Sequence, residues 1–543
     1  MLGKSKLLCV IILSILPCLL FSVEKEYQSE LERVNEVISN YLNSLQETTE
    51  EDDVSKIQLN PDFATFFEKG MDTNDDKNQY LLGMVYLYLK NYDKAKYYFE
   101  KASKKNNSYA QTELAKMYFN GYGLEQNYSE AIKWFKKAAN NNNAEACYYL
   151  GLSYFYGEGV SKNYNKALQL FQKSASQGID LSFYYLGLIF FNGYGVKIDL
   201  EQAVVCFEKA AIKGIPAAQA NMGYCYYNGF GVLRNYSIAK KWFEMAAENE
   251  DDYSEYFLGI LYENGLGTEQ NYEKAAGWYE RAATHGQVSA KICLGNLYYY
   301  GRGVNQDYLK AIEWYEKAAA EGDAIGEYNL GNMYDEGKGV SQDFVIAREW
   351  FEKAAAKNNS TAQNSLGNYY FTGKGVSKDY KKAKEWYEKA ASQDNTWALN
   401  SLGNMYYSGN GVTQNYKKAM EFYHKAANLG NTEAEYNIGK MYLRGDGVPI
   451  NCKEAVLWYS KAAWRGHAAA QYALGYLYDY GDGGIQIDYT EALKWYLKAA
   501  EQNYCPAIYN LGVMYRDGKG VPQDKEKAME YFRKEAMLKG TLN

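Results

Sequence analysis

An apolar residue followed by glycine recurs at almost constant intervals through most of this chain of 543 residues. Nine successive intervals are 36 residues long and the tenth is 37. The glycines are Gly151, Gly187, Gly223, Gly259, Gly295, Gly331, Gly367, Gly403, Gly439, Gly475 and Gly512. Ala115 holds the equivalent place one period earlier, so twelve consecutive repeats run from about Tyr109 to Gly540. A fixed period of this length is typical of proteins built from small supersecondary repeats rather than from separate domains.

The repeat that begins at Asp323 shows the pattern common to all of them. Its first half places Leu330 and Tyr334 four residues apart, which is the spacing of one face of a helix. A turn follows at Gly337, because glycine supplies the backbone freedom that a tight reversal requires. The second half is again amphipathic, with Trp350 one helical turn before an alanine. Each repeat is therefore predicted to be a hairpin of two helices.

A single hairpin cannot bury both of its apolar faces, so the core must form where successive hairpins stack. Alanines allow the helices to approach closely, while tyrosine and tryptophan rings fill the space between neighbours. The predicted fold class is all-α, a right-handed α/α superhelix, or solenoid.

These positions resemble the Sel1-like repeat, a close relative of the tetratricopeptide repeat. One copy carries the whole motif, at Leu294-Gly295, Tyr298, Gly301, Gly303-Val304, Lys310-Ala311, Trp314-Tyr315 and Lys317-Ala318-Ala319. Four copies replace the tryptophan, with Leu170, Cys206, Phe422 and Tyr531. The resemblance implies a solenoid that assembles protein complexes at membranes or cell envelopes, with its first helices lining a concave face.

The N-terminus is typical of a secretory signal peptide over residues 1–22. Two lysines precede an apolar run over residues 7–21, and Ser22 supplies a small residue at the cleavage point. An uncleaved anchor is the alternative, although this run is shorter than the roughly 20 residues that span a bilayer. We expect a secreted, periplasmic or cell-envelope protein without a stable membrane span after cleavage, or one in the endoplasmic reticulum lumen if the source is eukaryotic.

Residues 23–76 are predicted to form an N-terminal cap. Apolar residues recur there at helical spacing, at Tyr27, Leu31, Val34, Ile38, Leu42 and Leu45. The acidic run over residues 47–53 is typical of a solvated linker. Residues 77–108 resemble a plain tetratricopeptide hairpin because they lack the glycine turn, residues 109–540 contain the twelve repeats, and residues 541–543 form a tail.

The charge composition argues against one class of partner. Lysine and arginine number 59, against 66 aspartates and glutamates, so the formal net charge is −7. Broad nucleic-acid binders need clustered basic residues that displace phosphate counterions. No nucleic-acid partner is therefore expected.

Six cysteines follow the predicted cleavage point, at Cys147, Cys206, Cys225, Cys293, Cys452 and Cys505. Their spacing is irregular and no Cys-x-x-Cys motif occurs, so each is predicted to be a small buried apolar residue. A single bridge between Cys206 and Cys225 is the alternative. Three histidines, His285, His424 and His467, have no paired spacing, so no metal site is expected.

Catalytic motifs are missing from the sequence. The Gly-x-Gly turns follow no predicted strand, and no Gly-x4-Gly-Lys-Ser/Thr motif is present to cradle phosphate. Serine-hydrolase, β-lactamase and zinc-protease signatures are also missing. Cysteine-rich secreted Sel1-like proteins have been linked to penicillin binding and weak β-lactam hydrolysis, but that resemblance implies a regular cysteine pair in each repeat, which this chain lacks. We predict a non-catalytic protein with no cofactor.

An outward stripe on the first helices is the candidate binding surface. Residues offset by two from the inward positions are rotated by about 200° around the helix. In four consecutive repeats one outward place holds asparagine, at Asn296, Asn332, Asn368 and Asn404. Aromatic candidates lie alongside, at Tyr299, Tyr328, Phe371 and Tyr407. Trp397 and Trp464 lie outside the repeated tryptophan position and are expected to be exposed.

A ladder of amides can bind an extended peptide, since each asparagine offers a donor and an acceptor while the rings receive side chains. The sequence thus predicts a peptide groove across repeats six to nine. Two simpler explanations stay open: asparagine solvating or capping an exposed helix, and recent duplication of repeats.

The predicted function is a protein-interaction scaffold or adaptor that binds other proteins or peptides, cell-envelope components among them. The alternative is a secreted protein that binds cell-wall glycan or peptidoglycan through stacked tyrosines, or that hydrolyses β-lactams weakly.

Overall fold

The computed structural model describes residue 65, residues 68–69 and residues 71–540. The predicted signal peptide, the predicted helix over residues 27–45, the acidic run and the tail all lie outside the described residues. Within the described part the regular structure is helical, and no strand occurs. These residues form two compact units, an N-terminal unit that ends at His285 and a C-terminal unit that begins at Gly286.

Twelve helices of the described chain belong to the N-terminal unit. They are α1 (Asp76–Tyr88), α2 (Tyr92–Lys104), α3 (Ser108–Asn120), α4 (Tyr128–Asn140), α5 (Ala144–Tyr156), α6 (Tyr164–Ser176), α7 (Leu181–Asn192), α8 (Leu200–Ile212), α9 (Pro216–Asn228), α10 (Tyr236–Ala247), α11 (Asp252–Asn264) and α12 (Tyr272–Thr284). Each odd-numbered helix pairs with the next to form a hairpin.

Fourteen described helices belong to the C-terminal unit. They are α13 (Val288–Tyr300), α14 (Tyr308–Ala320), α15 (Ala324–Glu336), α16 (Phe344–Ala356), α17 (Ser360–Thr372), α18 (Tyr380–Ala391), α19 (Thr396–Ser408), α20 (Tyr416–Asn428), α21 (Thr432–Arg444), α22 (Cys452–Trp464), α23 (Ala468–Tyr480), α24 (Tyr489–Glu501), α25 (Cys505–Asp517) and α26 (Lys525–Leu538). The turn that carries the one-residue insertion contains a short 3₁₀ segment, Asp482–Gly484.

Side-chain caps define where the second helix of each hairpin begins. Asn415, for example, accepts a hydrogen bond from the backbone N–H of Lys418 at 2.9 Å. Asparagine and aspartate stabilise helix starts in this way because their oxygens satisfy N–H groups that have no partner within the helix. Every second helix described has such a cap: Asn91, Asn127, Asn163, Asp199, Asn235, Asn271, Asp307, Asp343, Asp379, Asn415, Asn451, Asp488 and Asp524.

Two glycines of one repeat explain why the motif needs this residue twice. Gly409 ends α19 with φ of 75°, in the left-handed region that glycine tolerates best. Gly403 lies inside α19, where an added Cβ would stand 2.5 Å from the Tyr423 ring. The ring of the second helix therefore packs directly against the backbone of the first helix.

The core lies between hairpins as well as within them. Tyr423 and Ala426 of α20 pack in one buried cluster with Ala434 and Ile438 of α21. Alanine at these places brings neighbouring helices close, as the sequence predicted. Each unit is thus a stack of helix hairpins, which confirms the all-α solenoid class.

Several predictions about individual side chains can be compared with this core. Tyr262 is buried, while Tyr298, Tyr334 and Tyr406 are half-buried against neighbouring clusters. Trp397 and Trp464 are 60% and 65% exposed, as expected. Cys147, Cys206, Cys225 and Cys452 are buried, Cys293 and Cys505 are half-buried, and all six are free thiols, so Cys206 and Cys225 are not bridged.

A buried polar position links neighbouring hairpins. The side chain of Gln363, in the first turn of α17, donates to the carbonyl of Ala355 at 3.3 Å. It also accepts a hydrogen bond at 2.8 Å from Gln393, which follows the next second helix. Ion pairs take this place in other repeats, as in Glu327 with Lys357 at 2.8 Å. Each of these pairs joins the first helix of a hairpin to the turn that follows its second helix.

Candidate functional site

The four predicted asparagines, Asn296, Asn332, Asn368 and Asn404, are called the amide stripe below. They lie at one equivalent place in α13, α15, α17 and α19, directly after the repeat glycine. Asn368 and Asn404 are exposed, and Asn296 and Asn332 are half-buried. All four belong to the C-terminal unit.

Three members of the amide stripe share one hydrogen bond. Their Oδ1 atoms accept, each at 2.7 Å, from the hydroxyl group of a buried tyrosine on the second helix of the same hairpin. The pairs are Asn296 with Tyr315, Asn368 with Tyr387, and Asn404 with Tyr423. Burial raises the pKa of all three tyrosines, so their hydroxyls stay protonated donors.

This bond decides which groups the amides can offer to a ligand. The tyrosine hydroxyl uses one of the two acceptor sites of Oδ1, so each amide still offers the two N–H donors of Nδ2 and one acceptor site. Such fixed amides lie on the first-helix face of three of the seven described hairpins of the C-terminal unit. This face is complementary to a ligand rich in acceptors, such as a peptide backbone with its carbonyl oxygens.

Asn332 differs from the other three members. The equivalent ring in its hairpin is Phe351, which has no hydroxyl group. Phe351 still packs in the same way, since a Cβ on Gly331 would lie 2.5 Å from it. Asn332 is thus the member of the amide stripe that has no tyrosine hydroxyl at the equivalent place in its hairpin.

The four aromatic candidates are half-buried and support one another rather than projecting freely. Tyr299, Phe371 and Tyr407 each meet the tyrosine that begins the following second helix, edge to face, with ring centroids 5.1–5.6 Å apart. Tyr328 instead lies 5.6 Å from the Phe351 ring, within its own hairpin. Their exposed edges border the amide stripe.

Two of these rings also bind acidic groups of the next repeat. The Tyr299 hydroxyl donates to Glu336 at 2.7 Å, and the Tyr407 hydroxyl donates to Asp446 at 2.6 Å. Lys338 pairs with Glu336 at 2.7 Å, which neutralises that carboxylate. Hydrogen bonds from Lys338 and Tyr299 lower the pKa of Glu336 against the opposing effect of burial, so it stays ionised.

The site contains one residue that the sequence prediction missed. Lys440 follows Gly439 in α21, just as Asn404 follows Gly403 in α19. Its ammonium group lies 5.1 Å from the centroid of the Tyr407 ring. The register of the repeats indicates this residue, because it occupies the place of the asparagines one repeat after Asn404.

A second surface feature lies in the N-terminal unit. A groove of about 1180 Å³ opens on α1, α3 and α5, and on the turns that precede the first helices. Six tyrosines contribute to its lining: Tyr88, Tyr92, Tyr109, Tyr122, Tyr148 and Tyr149. The rings of Tyr92 and Tyr122 stack with centroids 6.5 Å apart. Sequence reasoning did not predict this groove, because no single repeat contains it.

An ion triad with one buried member, Glu113, forms part of that groove. The ammonium group of Lys116 lies 2.7 Å from Glu113 and 3.0 Å from Glu145. Burial raises the pKa of Glu113. Burial alone would lower the pKa of Lys116, but the two carboxylates raise it, so the ammonium stays charged.

Among the described residues, no three histidine, cysteine or carboxylate side chains are grouped so that they could hold a metal ion. None of the described helices is both long enough and apolar enough to cross a membrane.

Known proteins resemble the chain along most of its length. The family model for the Sel1 repeat matches thirteen segments: 79–107, 108–143, 144–179, 184–215, 216–251, 252–287, 292–323, 324–359, 360–395, 398–431, 432–467, 468–504 and 505–538. The first of these falls in the hairpin predicted to be tetratricopeptide-like. No curated protein matches the chain significantly.

Solved structures agree with the family model. The crystal structure of c5321, a protective antigen of uropathogenic Escherichia coli strains with an SLR fold, is 33% identical, with a TM-score of 0.63. The match covers 82% of this chain and 95% of that one. A Sel1 repeat protein from Oxalobacter formigenes is 30% identical over 56% of this chain and 89% of its own, with a TM-score of 0.46. This chain belongs to the Sel1 repeat family.

Proposed function

We propose that this protein is a non-catalytic interaction scaffold that holds extended polypeptides on the first-helix face of its C-terminal unit. The observation that carries the proposal is the repeated bond between a tyrosine hydroxyl and the Oδ1 atom of Asn296, Asn368 and Asn404. It fixes each amide in one orientation and leaves its N–H donors to a ligand.

Orientation matters because ordering a free side chain at an interface costs free energy, about 0.5–1.5 kcal/mol for a long one. An amide already fixed by a buried tyrosine has lost part of that freedom before the partner arrives. The rings of Tyr299, Phe371 and Tyr407 stand beside the amides and offer apolar contact to peptide side chains.

Family membership supports the general role, since Sel1 repeat solenoids commonly serve as protein-interaction scaffolds. The place of action is proposed from the N-terminal sequence, whose basic, apolar and small residues follow the order of a secretory signal. We therefore expect partners among secreted or cell-envelope proteins.

The test uses the full mature chain and a synthetic pool of random octapeptides with a fluorescent N-terminal label. In the variant Asn368→Asp/Asn404→Asp, each new carboxylate still accepts the tyrosine hydroxyl but offers no N–H donors. The matched control is Asn428→Asp, which adds a carboxylate at the exposed end of α20.

Binding of the pool is measured by fluorescence anisotropy, and folding is checked by thermal unfolding. We expect the double variant to bind at least tenfold more weakly while the control binds as the parent does. Equal binding by all three proteins, or no binding by the parent chain, would contradict the proposal.

A second function, glycan binding, is favoured by the groove of the N-terminal unit with its six tyrosines. Tyrosine faces pack against the apolar faces of sugars, and the ions and amides of the lining can bind hydroxyls. Titration with N-acetylglucosamine tetramers, followed by intrinsic fluorescence, tests this function. Binding that is lost in Tyr88→Ala and Tyr122→Ala would support it, and no saturable signal would contradict it.

A further inference from the structure

The amide stripe continues into a pair of cations. Lys440 occupies in α21 the place that Asn404 occupies in α19, and Arg444 lies one helical turn further along. Lys440 is half-buried, whereas Arg444 is exposed. The first-helix face therefore carries hydrogen-bond donors at the next hairpin as well, and these donors are positively charged.

Lys440 is held by rings rather than by an acid. Its ammonium group lies 5.1 Å from the Tyr407 centroid and 6.0 Å from the Tyr436 centroid. No carboxylate of the described residues lies within ion-pair distance of it. A half-buried ammonium group held only by aromatic faces has lost part of its hydration without gaining a counter-ion.

Arg444 also lacks an ion pair within the described residues. Its guanidinium group lies 3.5 Å from the Tyr407 hydroxyl. That hydroxyl donates to Asp446, which is therefore occupied by the tyrosine. The hydrogen bond with Tyr407 raises the pKa of Arg444, and the charge of the nearby Asp446 raises it further.

Three lysines in glycine turns of the C-terminal unit form ion pairs. Lys338 pairs with Glu336 and Lys374 pairs with Asp335, each at 2.7 Å. Lys519, in the last glycine turn, pairs with Asp479 at 3.5 Å. Lys440 and Arg444 differ from these residues because none of the described carboxylates forms an ion pair with either of them, although Glu433 and Asp446 lie nearby.

The electrostatic environment agrees with this geometry. Burial lowers the pKa of Lys440, and the positive charge of Arg444 lowers it further, against a smaller opposing effect of Glu433 and Asp446. An anion placed beside the ammonium group would reverse this shift. Because Glu433 and Asp446 already supply negative charge nearby, the excess positive charge suits a singly charged carboxylate better than a phosphate dianion.

We propose that Lys440 and Arg444 bind a carboxylate of the extended peptide held by the amide stripe. The inference rests on the proposed function and specifies its ligand: an acidic peptide whose backbone lies along Asn368 and Asn404 and whose carboxylate reaches α21. An arginine fork beside a lysine ammonium group matches a carboxylate through charge-assisted hydrogen bonds.

Two pools of labelled random octapeptides test this proposal with the full mature chain. One pool has free C-terminal carboxylates, and the other is C-terminally amidated. Peptides that stay bound after washing are identified by mass spectrometry, and affinities are measured by anisotropy. The variants are Lys440→Gln and Arg444→Gln, with Lys418→Gln as the control.

Lys418 is a matched control because its ammonium group also lies over a tyrosine ring, 5.2 Å from the Tyr406 centroid, but on a second helix. It is exposed, so the control removes the same charge from a different face. Thermal unfolding of each variant shows whether it folds as the parent does.

We expect the free-acid pool to bind at least tenfold more weakly to Lys440→Gln and to Arg444→Gln, with Lys418→Gln unchanged. If the amidated pool binds poorly, the carboxylate is the peptide terminus. If it binds well and is enriched in aspartate or glutamate, the carboxylate is a side chain. Either result supports the proposal.

Peptide binding that is sensitive to Asn368→Asp/Asn404→Asp but indifferent to Lys440→Gln, with no preference for acidic peptides, would overturn the carboxylate site and leave the proposed function standing. Absence of binding by the parent chain to either pool would overturn both. These two results distinguish failure of the carboxylate site alone from failure of the proposed function.

Discussion

The ammonium group of Lys291, in the first turn of α13, pairs with the carboxylate of Glu321, which follows α14. Lys291 is almost completely buried. One repeat later the equivalent pair is Glu327 with Lys357, in which acid and base have exchanged places. In each pair the acid and the base are 30 residues apart in the sequence, and their order is reversed between the two repeats.

The first prediction concerns this exchange. Lys291→Glu would place a buried carboxylate against Glu321 and destabilise the contact between α13 and the turn after α14 by about 1–3 kcal/mol. Adding Glu321→Lys would recover most of that loss, because it recreates the arrangement of Glu327 and Lys357. Amide hydrogen exchange in α13 to α15 measures the local effect, which a global unfolding midpoint of a repeat protein would dilute.

The control for this pair is Glu321→Lys alone, which places two ammonium groups together and should destabilise as well. If the double variant is no more stable than the sum of the two single variants predicts, the pair does not join α13 to the turn after α14 in the way that the structure indicates.

The second prediction concerns Asn332, the member of the amide stripe whose hairpin has Phe351 in place of a tyrosine. Phe351→Tyr should add a hydroxyl that donates to Asn332, as Tyr387 donates to Asn368. The gain expected for one such hydrogen bond is about 0.5–1.5 kcal/mol. Hydrogen exchange in α15 and α16 should slow by roughly twofold to tenfold. Faster exchange would show that the ring site has no room for the hydroxyl, and Tyr387→Phe serves as the reciprocal control.

The third prediction concerns pH. His467 caps α23 by accepting the Ala470 N–H at Nδ1, so its Nε2–H donates to Glu433 at 2.9 Å. This hydrogen bond lowers the pKa of Glu433. A carboxylate with a lowered pKa adds stability above its unfolded value of about 4.3, and that stability is lost as the pH falls through the folded value.

Replacement by Glu433→Gln should therefore lower the melting temperature at neutral pH, and the difference from the parent should shrink as the pH drops below about 4. Thermal unfolding at a series of pH values measures this convergence. A constant difference at every pH would show that the carboxylate charge makes no contribution.

The hairpins themselves could be predicted because each local signal agrees with the fold. Leu330 and Tyr334 lie in α15, and Gly337 ends that helix, as their pattern in the sequence predicted. The same signals recur with the period of 36 residues. Because a single hairpin cannot bury both of its apolar faces, the hairpins are expected to stack.

The chemistry of the amide stripe could be predicted only in part. Its residues and their common face follow from helical spacing, but the bond from Tyr423 to Asn404 does not, because the two residues are 19 positions apart on different helices. That bond occupies one acceptor site of the amide and leaves its two N–H donors and one acceptor site. Whether the stripe binds a peptide stays a prediction.

Contacts between side chains that lie far apart in the sequence could not be predicted for the same reason. The partner of Lys291 lies 30 residues away, and nothing in either segment alone indicates the other. The groove with Tyr88 and Tyr122 combines side chains of several hairpins. Features of this kind depend on how successive hairpins stack. The period of the sequence predicts that the hairpins stack, but it does not predict which side chains meet.

The central claim is that extended peptides bind along the first helices of the C-terminal unit. Hydrogen exchange of the full mature chain, with and without the free-acid octapeptide pool at saturation, tests it most directly. The account predicts slower exchange in α13, α15, α17, α19 and α21. Slower exchange confined to the second helices or to the tyrosine groove of the N-terminal unit, or no change anywhere, would contradict it.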